Sequence, residues 1–288
     1  MATNLVVLMF AASGVFAQLP AEPLAGALPD VPAVPQAMEI PQGRDFLALK
    51  QGACDAAPGG PVHRVRVLLR RWNPKLDLGG RSNCWGDELS ASLTLFKVVY
   101  GSGQDGSSMD PKTAKNLADM EDDGLQEPRR PRTSPQGEIL YWASKQLGKP
   151  YRMGADGNLE TDCGLFTKTA LMTAGVVPAD FTRLADEQYR LAKLGKILFK
   201  TSRVLLGLLF MKAPSPGSLI FFRNQTSQSA IAYDGVTHVG FWVGSGSLGS
   251  DAGYVMHASS SRGVVIVPMN VADSYWVPGF GAVDARAR

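Results

Sequence analysis

Four short runs constrain the fold more than any other feature of the 288-residue chain. Ser218 to Phe222, His238 to Val243, Tyr254 to Ser259 and Gly263 to Met269 are rich in β-branched and aromatic residues, and Gly/Ser turns separate them. Upstream, apolar residues recur at helical spacing instead. Ile139, Leu140, Ala143 and Leu147 share one face, and Phe166, Ala170 and Ala174 follow at four-residue steps until Gly175. Helices first and antiparallel strands after predict an α+β domain over 138–288.

The N-terminal half adds a smaller unit. Val65, Leu68, Leu69 and Trp72 mark one helix, stopped at Pro74. Leu89, Leu93, Phe96 and Tyr100 mark a second, ending at Gly101. A third starts with Asp110 as N-cap and Pro111 at the first helical position, with Ala114 and Leu117 inward. These helices predict a small three-helix domain over 61–120. The charged, Pro-rich 121–137 reads as a linker, in which Arg129, Arg130 and Arg132 form a solvated basic face.

Asn4 to Ala17 is apolar, and Val15-Phe16-Ala17 precedes Gln18 as a small-residue cleavage site would. Residues 1–17 are therefore expected to be a signal peptide, and the Pro/Ala-rich 18–60 a linker; the protein would be secreted or periplasmic. No integral membrane segment is expected, because Lys200 and Arg203 interrupt the most apolar stretch, 197–213. The net charge of +3 lacks the basic excess of a dedicated nucleic-acid binder, so no nucleic-acid partner is expected. With 45% hydrophobic and 19% charged residues, disorder and collagen-like repetition are excluded. Three cysteines are too few for a disulfide scaffold. In an exported protein Cys54 and Cys84 would pair; the alternative is two buried thiols.

Cys163 is then the odd cysteine, at the start of a predicted helix after a Gly loop. Free N–H groups and the helix dipole favour a thiolate there. The alternative is a small core residue. His238 and His257 lie on the two strands of one hairpin. If Val243 pairs with Tyr254, Gly240 faces His257, and His238 lies two residues along on the same face. The bare Gly240 leaves the imidazoles room to meet. Together these are the parts of a thiol-imidazole nucleophilic site: Cys163 attacks a carbonyl as part of an ion pair with one imidazole, the second imidazole orients the first, and backbone N–H groups at the helix start hold the oxyanion. Two His and one Cys also suit zinc, but no fourth ligand is evident. His63 is assigned to the surface without a role. No cofactor is needed.

The segment GKPYRMGADGNLETDCGLF, then PGSLIFF, HVGFWVG and VMHAS, resembles the NlpC/P60 family of cell-wall cysteine peptidases. The resemblance covers roughly 138–270 and implies a papain-like domain with N-terminal helices packed on an antiparallel sheet. It implies Cys163 as nucleophile, His238 as base and His257 as the orienting residue. Tyr151, Asp162 and Gly164 would serve substrate or oxyanion binding. The chain departs from the family pattern at Gly164 and Leu165, where Ser-Gly is usual, and at Ser218, where Asp is usual. LTLFKVVYGSGQDGSSMDPKTAKNL resembles half of a type 1 peptidoglycan-binding domain through Phe96, Gly101, Asp105, Gly106 and Asp110 to Leu117; Ser82 to Gly86 fits it less well.

The resulting expectation is a two-domain, monomeric peptidoglycan hydrolase. It would cleave the D-γ-glutamyl-diamino acid bond of stem peptides by a Cys-His-His thiol mechanism. Rivals are an amidase or acyltransferase acting on another amide or lipid, a secreted toxin with an inhibitor or immunity protein as partner, and a non-catalytic peptidoglycan-binding protein.

Overall fold

The structure is a computed structural model that describes residues 45–80, 83–129, 134–194, 198–200, 214–223, 233–245, 253–269 and 276–282. The expected signal peptide, residues 18–44 of the expected linker, Ser82, Arg130, Arg132 and most of the apolar 197–213 lie outside these residues; the rest of that linker, 45–60, is folded instead, with Phe46 buried and Cys54 in a disulfide.

The helices are α1 (Pro61–Trp72), α2 (Asp87–Val99), α3 (Pro111–Asp122), α4 (Pro135–Ser144), α5 (Cys163–Thr173) and α6 (Ala185–Lys193). The strands are β1 (Leu198–Lys200), β2 (Leu219–Arg223), β3 (Val236–Ser245), β4 (Gly253–Ser259), β5 (Gly263–Pro268) and β6 (Trp276–Ala282). All strand pairs are antiparallel, in the order β1-β6-β2-β3-β4-β5. The architecture is α+β.

Local chemistry explains the helix starts. Asp110 accepts a hydrogen bond from the Thr113 N–H at 2.9 Å, with Pro111 in the first turn of α3. Ser134 does the same for the Gly137 N–H at 3.0 Å, ahead of Pro135. Asp55 caps α1 from a distance, accepting from the N–H groups of Val62 at 2.9 Å and His63 at 2.7 Å.

The linker expected over 121–137 does not separate two bodies, because Pro41–Arg288 form one compact unit. The reason is α2. It is buried on every side from Leu89 to Val99, the pattern of a helix inside a core. It packs on α1, α4, β3 and β5. The Tyr254 hydroxyl on β4 hydrogen-bonds Ser90 of α2, and burial pushes that phenol up to about 12. Asp105, in the turn that carries the wall-binding resemblance, forms a bridge with Ser245 at the end of β3. A disulfide joins Cys54 to Cys84 across a separation of 30 residues. Closing such a loop stabilises by roughly 3.6 kcal/mol in the chain-entropy view.

The hairpin register sets the positions of the histidines. Gly240 faces His257, Phe241 faces Met256 and Trp242 faces Val255. The expected Val243–Tyr254 pair is absent: the ladder slips between Trp242 and Gly244, so Gly244 faces Tyr254. This bulge places the extra residue beyond the histidines and leaves their alignment intact.

Candidate active site

Cys163 opens α5, and Asp162 is its N-cap, accepting from the Leu165 N–H at 2.8 Å. The loop before it is closed at its base by two backbone bonds, Arg152 N–H to Thr161 O at 3.0 Å and Thr161 N–H to Pro150 O at 2.9 Å. A further pair hangs the loop on β5: Gly148 N–H to Val264 O at 2.8 Å and Val264 N–H to Lys149 O at 2.9 Å. The chain leading into the nucleophile candidate is thus tied to the sheet.

His238 lies on β3 and His257 on β4. His238 Nε2 and His257 Nδ1 are 2.8 Å apart, with the rings nearly perpendicular. Gly240 makes this meeting possible: a Cβ there would lie 2.9 Å from the His257 Cβ and 2.8 Å from the Met256 carbonyl oxygen. If Nε2–H of His238 donates to His257 Nδ1, His238 Nδ1 is left as a proton acceptor, and the His257 hydrogen sits on Nε2. That buried Nε2 has no hydrogen-bond partner among the described residues.

The cysteine reaches the same strand. The Cys163 sulfur lies near the backbone N–H groups of Val239, next to His238, of Gly164 and of Cys163 itself. These donors favour the thiolate, but burial outweighs them and pushes the thiol up to about 11. Burial, and then His257, push His238 down to about 3. Burial, and then Arg262, push His257 down to about 4. The free site at neutral pH therefore favours thiol and neutral imidazole over the expected ion pair. Among the described residues, no group of His, Cys, Asp and Glu is arranged as metal ligands would be.

Tyr151 is half-buried, and its phenol is raised by burial, then by the charges of Cys163 and Asp162. Gly164 packs closely: a Cβ would fall 1.7 Å from the Arg183 carbonyl oxygen. That contact alone accounts for a glycine after Cys163. His63 is exposed on α1.

Sequence reasoning missed two residues. Arg183 forms an ion pair with Asp162 and donates to the Ala155 carbonyl at 2.9 Å, joining the Gly loop to the α5 cap. Gln188, fully buried on α6, donates to Gly164 O at 3.0 Å and Thr182 O at 3.2 Å and accepts from Thr167 Oγ1 at 2.9 Å. Both hold the first turn of α5. The sequence signal available was the helical spacing i, i+3, i+4, i+7 of Ala185, Gln188, Tyr189 and Ala192, with a glutamine in an apolar slot.

Residues 148–281 match the model of the NlpC/P60 family. The chain carries an NlpC/P60 domain. Solved structures similar to it include NlpC1 from Trichomonas vaginalis, 21% identical, with a TM-score of 0.36 over 52% of this chain and 44% of that one. An NlpC/P60 family protein from Bacillus cereus is 22% identical, with a TM-score of 0.35 over 52% and 41%. The NlpC/p60 domain of the peptidoglycan hydrolase SagA is 20% identical, with a TM-score of 0.33 over 49% and 97%. The chain thus spans less than half the length of the first two. No curated protein matches the chain. No helix among the described residues is long and apolar enough to cross a membrane.

Proposed function

We propose that the chain is a cell-wall hydrolase that cleaves an amide in peptidoglycan stem peptides, at the D-γ-glutamyl-diamino acid bond. The observation that carries this reading is the 2.8 Å contact between His238 Nε2 and His257 Nδ1, on the two strands against which the Cys163 helix α5 packs. The contact occupies one ring nitrogen and frees the other for proton transfer. The NlpC/P60 domain supports the substrate class.

In the proposed reaction the Cys163 proton passes to His238 Nδ1 as sulfur attacks the amide carbon. The resulting oxyanion takes the backbone N–H groups at the start of α5, with Tyr151 beside it. The amide nitrogen leaves with the proton held by His238, giving an acyl-enzyme. Water, deprotonated by the same imidazole, releases the acid and restores the thiol. Forming charge only in the transition state fits a site that favours the neutral pair. Asp162 caps α5 and aligns the sulfur, and His257 orients His238. The Cys54–Cys84 disulfide supports action in an oxidising, extracytoplasmic setting.

The direct test is digestion of purified sacculi, read by mass spectrometry. The wild-type chain releases fragments cut at the D-γ-glutamyl bond, and Cys163→Ala releases none. Full release by Cys163→Ala overturns the reading. A second reading, cleavage of a lipid-bearing amide, is favoured by Met153, Leu159 and Leu184, which are 81%, 83% and 60% exposed on the segments bound to Asp162 and Arg183. Turnover of acyl amides in place of stem peptides would select it.

A further inference from the structure

The outward side of α1 carries a cationic stripe that the proposed chemistry does not use. His63, Arg66, Val67, Arg70 and Arg71 lie at i, i+3, i+4, i+7 and i+8 and, with Asn83, line an open groove. From His63 to Arg71 the stripe runs about 12 Å along the helix. Arg64, on the flank, belongs elsewhere: it pairs with Asp45 and Glu121.

The groove has a fixed cationic anchor. Arg66 is only 9% exposed, and its Nη atoms donate to the carbonyl oxygens of Leu78, Gly79 and Cys84. Carbonyls hold the guanidinium in place, and Glu88 and then Asp55 offset part of its charge from nearby without an ion pair. Its Nε–H is buried and has no partner among the described residues. Such a donor is costly to leave unmade. Arg71 is steadied by one bond, Nη1 to Met120 O at 3.0 Å. Among the described residues no carboxylate pairs with Arg70 or Arg71. Asp55, at the helix start, is occupied with the N–H groups of Val62 and His63.

We propose that this groove binds a phosphodiester polymer of the wall, a polyol phosphate. Guanidinium groups pair well with phosphate oxygens. A stripe of this length takes successive charges of a chain that carries one in each repeat. Among the described residues the groove has Pro58 and Val67 as its apolar lining and no aromatic ring on which a base would stack, which favours a polyol phosphate over single-stranded nucleic acid. The choice of a wall polymer rests on the hydrolase reading; the anion site itself does not.

The test uses the full chain carrying Cys163→Ala, so that nothing is cleaved, with short poly(glycerol phosphate) as the probe. Binding is expected, and it should weaken as salt rises. Arg70→Glu is expected to weaken it about tenfold, and Arg70→Lys to keep most of it. An uncharged glycan should not bind. Equal binding by wild type and Arg70→Glu overturns the site, as does equal binding of the uncharged glycan. An oligonucleotide of matched charge binding as tightly as the probe overturns the polymer assignment. In the otherwise native chain, Arg70→Glu should cleave a soluble stem peptide at the wild-type rate. Absence of that cleavage in the wild type counts against the hydrolase reading and leaves the binding result standing.

Discussion

At Cys163 two effects oppose each other. Three backbone donors and a helix start favour the thiolate, while burial favours the thiol, and burial wins. The two imidazoles follow the same rule, since both are pushed down, to about 3 and about 4. Their neutral forms are therefore favoured by folding. The stability this brings is fully present above the unfolded-state value of about 6.5, and it is lost as pH falls towards the lowered values. Urea unfolding between pH 7 and pH 4 should show stability falling by up to about 1.4 kcal/mol per pH unit for each imidazole. His257→Gln should flatten that fall, and a wild-type stability flat across this window would contradict the shifts. Activity has its own signature. A base that stays neutral places the acidic limb of kcat/KM well below pH 6.5, and a limb at 6.5 would mean an unperturbed His238. Replacing His238 with Ala should cost about 100- to 10,000-fold in kcat. His257→Gln should keep part of it, because an amide still hydrogen-bonds the ring.

Among the elements, α6 does more for the site than its sequence suggests. It contributes no reacting group, yet Gln188 ties three polar partners around the first turn of α5. Gln188→Leu keeps the volume and leaves Gly164 O and Thr167 Oγ1 to find other partners. It should lower unfolding free energy by about 1–3 kcal/mol, read by urea denaturation at pH 7. A loss under about 0.5 kcal/mol would mean the network is dispensable. The same helix marks where the sequence stops being legible. Helices with clean apolar spacing or an Asp/Ser cap, such as α1, α3 and α5, can be read directly. So can β2 to β5, whose runs are rich in β-branched and aromatic residues. In α6 a polar glutamine fills a core position because its partners come from α5 and the preceding turn, which no local pattern displays. Strand β6 contains Pro278, Gly279 and Gly281, all poor strand residues, and its pairing with β1 and β2 is a long-range fact. The histidine pair was legible because Gly240 fixes it from within one hairpin. The bulge at Val243 was not, since it depends on where Gly244 meets Thr94 and Gln104.

Across the whole molecule, a helix that reads as part of a small separate domain is the core on which the NlpC/P60 domain rests. The periodic face of α2, Leu89, Leu93 and Phe96, serves α1, with Phe96 and Trp72 edge to face at 5.2 Å. Its other sides are covered by α4, β3 and β5, so Leu95 and Val98 are buried as well. Cutting the chain before Pro135 would strip that cover from the sheet. At roughly 25 cal/mol per Å² of apolar surface, exposing several such side chains costs an amount comparable to the whole stability of a domain. The fragment 135–288 should therefore lack a cooperative thermal transition, while the chain from residue 41 onward unfolds in a single step. Scanning calorimetry of both distinguishes the outcomes. Two separate transitions in the longer chain, with the later one retained by the fragment, would restore independent domains. A single transition lost on truncation would mean that the fold carrying Cys163 and His238 depends on residues 45–129.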